Sequence, residues 1–144
     1  MALNRESIYG ALWSRLQALT ANGFVTVERR LRHVNDVPQE EQPYLAMAQT
    51  GEVPHYEVGR TTQWTLNVVL YVYVKDPAGM EPGVLMNPLL DAITGVFAFD
   101  NTMGNSFTLG GLALWARMGP IETDEGTLGE QAIARIPVEI LVNG

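Results

Sequence analysis

Residues 63–76 carry the clearest alternation of hydrophobic and polar positions in the chain. The even positions from Trp64 to Val74 are all apolar, whereas the odd positions are Thr65, Asn67, Val69, Tyr71, Tyr73 and Lys75. Because successive side chains of a β-strand point to opposite faces, this period of two predicts a strand with one aliphatic, buried face. We interpret 63–76 as the central strand of a sheet. Its tyrosine face packs against a second layer of the same domain or against a partner protein.

The last residues of the chain show the same alternation. The even positions from Ala132 to Val142 are apolar, and Gln131, Arg135 and Glu139 lie on the opposite face. Pro137 also lies on that second face and has no N–H to donate to a neighbouring strand. The last strand is therefore predicted at a sheet edge or next to a bulge.

Two amphipathic helices are predicted from apolar residues at helical spacing. The first covers residues 4–22 and begins with an asparagine N-cap. The second covers Val84 to Phe97. Either Asn87 caps a helix that begins at Pro88, or Pro88 distorts a first turn that begins near Pro82.

Three shorter strands complete the predicted sheet, at 24–32, 44–49 and 112–118. In the last of these, Leu112, Leu114 and Ala116 share one face, and Ala113, Trp115 and Arg117 share the other. The segments between the elements are rich in proline, glycine and polar residues, which is typical of loops. The predicted loops are residues 35–43, 50–62, 100–111 and 119–130.

Two segments of the predicted strands and loops are rich in charged residues. Residues 28–32 read Glu-Arg-Arg-Leu-Arg, and alternation splits the arginines, with Arg30 and Arg32 on one face and Arg29 on the other. They form a solvated strand end or salt bridges to an acidic neighbouring subunit. Residues 119–130 are interpreted as a long hairpin loop that projects from the sheet, since such long loops are more often functional than idle. Its four carboxylates are Glu122, Asp124, Glu125 and Glu130.

No metal, cofactor or catalytic site is predicted. The four carboxylates depart from the spacing of a calcium loop, and His33 and His55 lack any ligand spacing. The chain contains no cysteine, which excludes disulfides and thiolate sites. Because no nucleophile motif or phosphate-binding glycine motif is present, we expect the protein not to be an enzyme.

The excess of acidic residues indicates how the protein interacts with nucleic acid. The formal net charge is −7, from 16 acidic against 9 basic residues, so the counterion release that drives most nucleic-acid binding is missing. An acidic wall instead keeps DNA from sticking to it. The first residues do not read as a secretory signal, and no run is long enough for a membrane span. We expect a soluble protein that stays where it is made.

The order of elements predicts a single α+β domain over residues 1–144. Its sheet is mainly antiparallel and packs against two helices, and a long β-hairpin forms the C-terminal part.

Four features, in this order, carry a resemblance to a known family. They are the N-terminal helix, Pro43-Tyr44-Leu45-Ala46 after an acidic loop, Trp64-Thr65-Leu66 leading into Tyr71-Val72-Tyr73-Val74, and Leu85-Met86-Asn87-Pro88-Leu89-Leu90-Asp91-Ala92-Ile93. Together they resemble the tail terminator (tail completion) proteins of long-tailed bacteriophages. The similarity covers most of the chain through patterns of apolar and turn residues.

The resemblance implies a structural virion protein that forms a hexameric ring on the finished tail tube, ends tube growth and joins the head. The implied partners are other copies of the chain, the major tail tube protein and head–tail connector proteins. DNA passes through the lumen without sequence-specific binding, no membrane is involved, and assembly takes place in the host cytoplasm. The family has no catalytic residues to transfer.

Candidate contact residues follow from exposure and amphipathicity. Tyr71, Tyr73 and Trp115 are candidates for a subunit or tail-tube interface, with core packing as the alternative for each. The part of the loop from Glu122 to Glu130 is a candidate for contact with the ring lumen or a neighbouring ring. Two other readings of the sequence are another virion part, such as a tail tube or connector protein, and a small-molecule binding module.

Overall fold

The chain forms one sheet with two helices on the same face. The computed structural model describes residues 3–76, 81–128 and 130–144. Its helices are α1 (Arg5–Gln17) and α2 (Pro82–Val96), and its strands are β1 (Thr26–Glu28), β2 (Tyr44–His55), β3 (Gln63–Lys75), β4 (Trp115–Met118), β5 (Glu122–Leu128) and β6 (Gln131–Asn143). The mostly antiparallel sheet and its two helices confirm the α+β class.

The central strand of the sheet is β3, as the alternation predicts. The strand order is β1-β2-β3-β6-β4, and β5 also pairs with β6. β3 pairs antiparallel with β2 on one side and with β6 on the other. Its apolar face, from Leu66 to Val74, is buried under the helices together with the alternating apolar residues of β6. We call this the core face and the opposite one the outer face.

Both helices cover the core face. The Asn4 side chain accepts a hydrogen bond from the Ser7 amide at 3.1 Å, which confirms the predicted N-cap. α1 ends at Gln17 and continues as a 3₁₀ turn to Asn22. α2 begins at Pro82, where the missing N–H costs nothing, and Pro88 lies inside it. Of the two predicted starts, the one near Pro82 is therefore observed.

β2 is about twice as long as predicted. Residues 50–55, which contain a glycine and Pro54, were expected in a loop but continue the strand and pair with β3 past a bulge after Gln49. In the described residues, β1 covers the other side of β2 only at residues 44–46. The remainder of β2 is an edge, where a proline is tolerated because no ladder donor is required on the free side.

The acidic segment was expected as a projecting loop, and this is wrong. Residues 122–128 form β5, which pairs with β6 and follows β4 along the same side of that strand. The interruption lies between them, where the Gly119 amide donates to the Pro137 carbonyl at 2.7 Å. The last strand was predicted either at a sheet edge or next to a bulge. Pro137 lies beside an irregularity in the pairing, as the second alternative predicts. The other alternative, an edge position, is wrong, since β6 has neighbours on both sides.

Two other strands are shorter than predicted. Only Thr26–Glu28 of the expected 24–32 strand pairs in the sheet, and only Trp115–Met118 of 112–118. Leu112 and Leu114 were expected on a strand face but remain 47% and 42% exposed. They belong to the connection that leads into β4.

Candidate functional site

The outer face of the sheet is partly covered by residues 29–43, which we call the strap. Under the strap lies a small cluster that contains Val37, Tyr44 and Tyr73. The two tyrosine rings stack at 5.0 Å between centroids, and the Tyr73 hydroxyl donates to the Arg32 carbonyl at 2.7 Å. Burial raises the pKa of Tyr73 to about 12. The strap is thus fastened to the sheet by buried aromatic side chains.

Arg32 holds the strap together from outside. Its guanidinium donates two hydrogen bonds of 2.9 Å to Glu28 and one of 3.0 Å to Glu41. Hydrogen bonds from charged groups in paired geometry are among the stronger ones in proteins. Arg29 pairs with Glu6 of α1. Arg30 is exposed, and no ion pair of its side chain is found in the part of the chain that the structure describes.

The structure separates the three aromatic candidates for an interface. Tyr73 is only 4% exposed, so for this residue the core-packing alternative is correct. Tyr71 is half-buried. Trp115 is also half-buried, and the Arg117 guanidinium lies 4.0 Å from the centroid of its ring. Tyr71 and Trp115 remain candidates on the outer face.

The acidic candidates follow one edge of the sheet. Glu122 is exposed and Asp124 is half-buried on β5, whereas Glu130 is exposed beyond its end. The side chain of Glu125 lies outside the described part of the structure. These acids do not project on a loop; instead, they accompany a strand whose second side has no partner strand among the described residues.

Exposed apolar side chains mark the end of the sheet where β3 begins and β6 ends, which we call the lower end. They occur near both edges. Val53, Tyr56 and Val58 were not singled out by the sequence, because they lie in a segment that was expected as a loop. The set comprises Val53, Tyr56 and Val58 near β2, and Leu112 and Leu114 before β4. Val58 is fully exposed.

The grooves of the described surface differ in their polar lining. One of about 400 Å³ at the β2–β3 hairpin is lined by titratable side chains, among them His55, Glu57 and Arg60. Another groove of about 590 Å³ is lined by apolar and neutral polar residues of α1, the loop before β4 and the chain end, including Ile8, Leu112 and Asn143. No titratable side chain lines it. Within the described residues, no three histidine, aspartate or glutamate side chains are grouped as metal ligands would be. No described helix is both long and apolar enough to cross a membrane.

Asp100 fastens the connection that precedes β4. Its carboxylate accepts hydrogen bonds from the amide and hydroxyl of Thr108 at 2.7 and 2.8 Å and from the Gly110 amide at 2.9 Å. The backbone hydrogen bond from Gly110, assisted by those of Thr108, lowers the pKa of Asp100. A carboxyl whose folded-state pKa is lowered stabilises the fold above its unfolded pKa of about 4, and this contribution is lost as the pH falls through the folded value.

The Asp100→Asn variant should therefore melt at a lower temperature than the parent at pH 7, because the amide nitrogen cannot accept from Gly110. The difference in melting temperature should narrow below about pH 4, where the parent loses the same interaction. Thermal melts followed by circular dichroism from pH 3 to 7 measure it, with Asp91→Asn on the exposed side of α2 as the control. A difference that does not vary with pH would contradict the assigned role of the charge.

Comparison with known proteins shows the fold. No protein-family model matches the sequence, and no curated protein sequence is significantly similar to it. A solved chain described as "Virion of native gene transfer agent (GTA) particle" aligns with a TM-score of 0.63 and 9% identity, covering 94% of this chain and 93% of that one. A second solved structure, whose name states no function, aligns with a TM-score of 0.53 and 16% identity over 96% of both chains. The protein therefore shares its whole fold with a protein of a virion particle.

Proposed function

We propose that the protein is a structural component of a phage-like virion. In this role, identical subunits form a closed ring, six-fold in the simplest case, that caps the tail tube, ends its polymerisation and presents the surface for head joining. The observation that carries the proposal is the end-to-end similarity of fold to a chain of a gene transfer agent virion. The ring and the capping of the tail tube rest on the resemblance of the sequence to tail terminators.

The edges of the sheet suit assembly. The sheet has two edges without strand partners among the described residues. One runs along β2 from residue 47 onward, and the other runs along β4 and β5. Such edges and the exposed apolar residues near them favour contacts between subunits. The groove of about 590 Å³ has no titratable side chain in its lining, so it offers no side chain for acid–base catalysis.

The implied partners are further copies of the chain, the major tail tube protein and head–tail connector proteins, and the place of action is the virion tail. The net charge of −7 suits a ring through which DNA passes without adhering. The nearest alternative is another tail or neck part, such as a tube subunit, since fold alone does not fix the position in a particle.

Electron microscopy of the purified protein, alone and mixed with purified tail tubes, tests the proposal. Rotationally symmetric rings, free or as caps on tube ends, are the expected result. Long tubes formed by the protein itself would instead assign it as a tube subunit. A monomer that leaves tube ends bare at high concentration would rule out the terminator function.

A further inference from the structure

We infer that the two free edges of the sheet are complementary and meet head to tail between neighbouring copies of the chain. This inference rests on the proposed ring and names its subunit contact. The β2 edge consists of β1, the first residues of the strap (29–32) and the free side of β2 down to the β2–β3 hairpin at 56–62. The β5 edge consists of residues 112–114, β4 and β5.

Opposite charges lie on the two edges. On the β5 edge, residues 122–128 contain three acids and no basic residue, and Glu122 is exposed. On the β2 edge, residues 28–32 contain three arginines and one glutamate. Two of these arginines already pair within the chain. Arg30 is exposed and has no ion pair among the described residues, so it is free to meet a carboxylate of a second copy.

The charged parts of the two edges lie at the same height in the sheet. Across the strands, Glu122 is in register with Arg135, which aligns through Tyr71 and Ala46 with Glu28. The arginines follow directly after Glu28. A neighbour placed by rotation about an axis along the strands therefore brings its acidic residues level with the arginines of the first copy.

The apolar parts of the edges also correspond. Trp115 is in register with Leu141, which aligns through Thr65 with Val53. Leu112 and Leu114 precede Trp115 on the β5 edge, and Tyr56 and Val58 follow Val53 on the β2 edge; all are exposed. The same rotation thus sets apolar side chains opposite apolar side chains at the lower end, and burying them adds to the attraction between charges.

A two-fold contact loses this match. If either edge met its own copy about an axis along the strands, like charges would face each other. If the axis were perpendicular to the sheet, the charged part would face the apolar part. Only the head-to-tail arrangement pairs both parts, and a head-to-tail contact repeated by rotation closes into a ring.

The contact is made by side chains more than by strand addition. Pro54 leaves the free side of β2 without one donor, and the bulge after Gln49 interrupts the edge. Both features are known to discourage pairing with unrelated strands. The edge therefore selects a partner by charge and shape, which a second copy of this chain provides.

Charge reversal in two separate proteins tests the contact. Each of Arg30→Glu and Glu122→Arg should raise the concentration for half-assembly by about tenfold, since a surface attraction becomes a repulsion. Mixing the two variants in equal amounts should restore assembly, because alternating subunits recover opposite charges at every contact. Asp91→Arg on α2 is the matched control and should assemble like the parent. Sedimentation velocity and electron microscopy measure the result.

Rescue by mixing excludes a folding defect, since a misfolded subunit gains nothing from a second one. Because the chain has no cysteine, the paired variant Val53→Cys with Leu114→Cys gives a second readout, and oxidation should link copies into a ladder ending at the ring. Both charge-reversal variants forming rings at the parent's concentration, or a cysteine variant that forms rings but yields no ladder on oxidation, would overturn the inference and leave the proposed function intact. A parent that forms neither rings nor tube caps would overturn both.

Discussion

Replacing Tyr73 by alanine is expected to destabilise the protein by about 3–5 kcal/mol, the usual cost of removing a buried aromatic side chain. Tyr73 is 4% exposed and stacks on Tyr44. Its loss leaves a cavity beneath the strap and removes the hydrogen bond to the Arg32 carbonyl. Urea unfolding followed by circular dichroism measures the change in the free energy of unfolding.

Two further variants identify the origin of the effect. Tyr73→Phe keeps the ring and loses only the hydroxyl, so a cost of about 1–2 kcal/mol is expected. Tyr71→Ala, two residues away on the same face, removes a half-buried ring and should cost clearly less than Tyr73→Ala. Equal effects of Tyr71→Ala and Tyr73→Ala on stability would show that the strap does not bury Tyr73.

The strongly periodic parts of the fold could be predicted from the sequence. Alternation over about a dozen residues marked β3 and β6, because each must bury one aliphatic face against the helices. The Asn4 cap was also predictable, since a cap is a local interaction between side chain and backbone. These signals depend on near neighbours in the chain, and they survive without knowledge of the tertiary structure.

Edge elements could not be predicted in the same way. β5 consists mainly of polar residues and glycine, so it has no apolar face from which a strand could be predicted. It forms because its backbone pairs with that of β6. The second half of β2 was not predicted as a strand because it contains Pro54, and proline is typical of loops except on an unpaired sheet edge. The failure to recognise these two segments has one cause, namely that strand addition at an edge requires little of the side chains.

The candidate site shows the same division. The sequence identified the aromatic odd positions of β3 but could not say that the strap covers Tyr73 and leaves Tyr71 half-buried, since that depends on a contact with the distant Arg32. The acidic segment was recognised by composition, yet its place at a sheet edge required the register with β6. The correspondence between the two edges follows only from the registers of all the strands that lie between them.

Replacing Ile140 by alanine is expected to cost about 2–5 kcal/mol of folding free energy. Ile140 is fully buried on the core face of β6, in register with Leu66 of β3 and Ala116 of β4. Truncating it leaves a cavity where three strands meet the helices. The free energy of unfolding at low protein concentration, where assembly is absent, is the quantity to measure.

Leu141→Ala provides a control that differs by one position along the same strand. Leu141 points to the outer face and is half-buried, so its truncation should cost about 1 kcal/mol or less in the isolated subunit. Equal losses for the two variants would contradict the assignment of one buried and one outer face. If subunits meet through their edges, the outer face stays accessible in the ring, and Leu141→Ala should assemble at the parent's concentration. A variant that folds normally yet fails to assemble would instead place the outer face within a contact, so the same pair of substitutions separates the core from the surfaces available to partners.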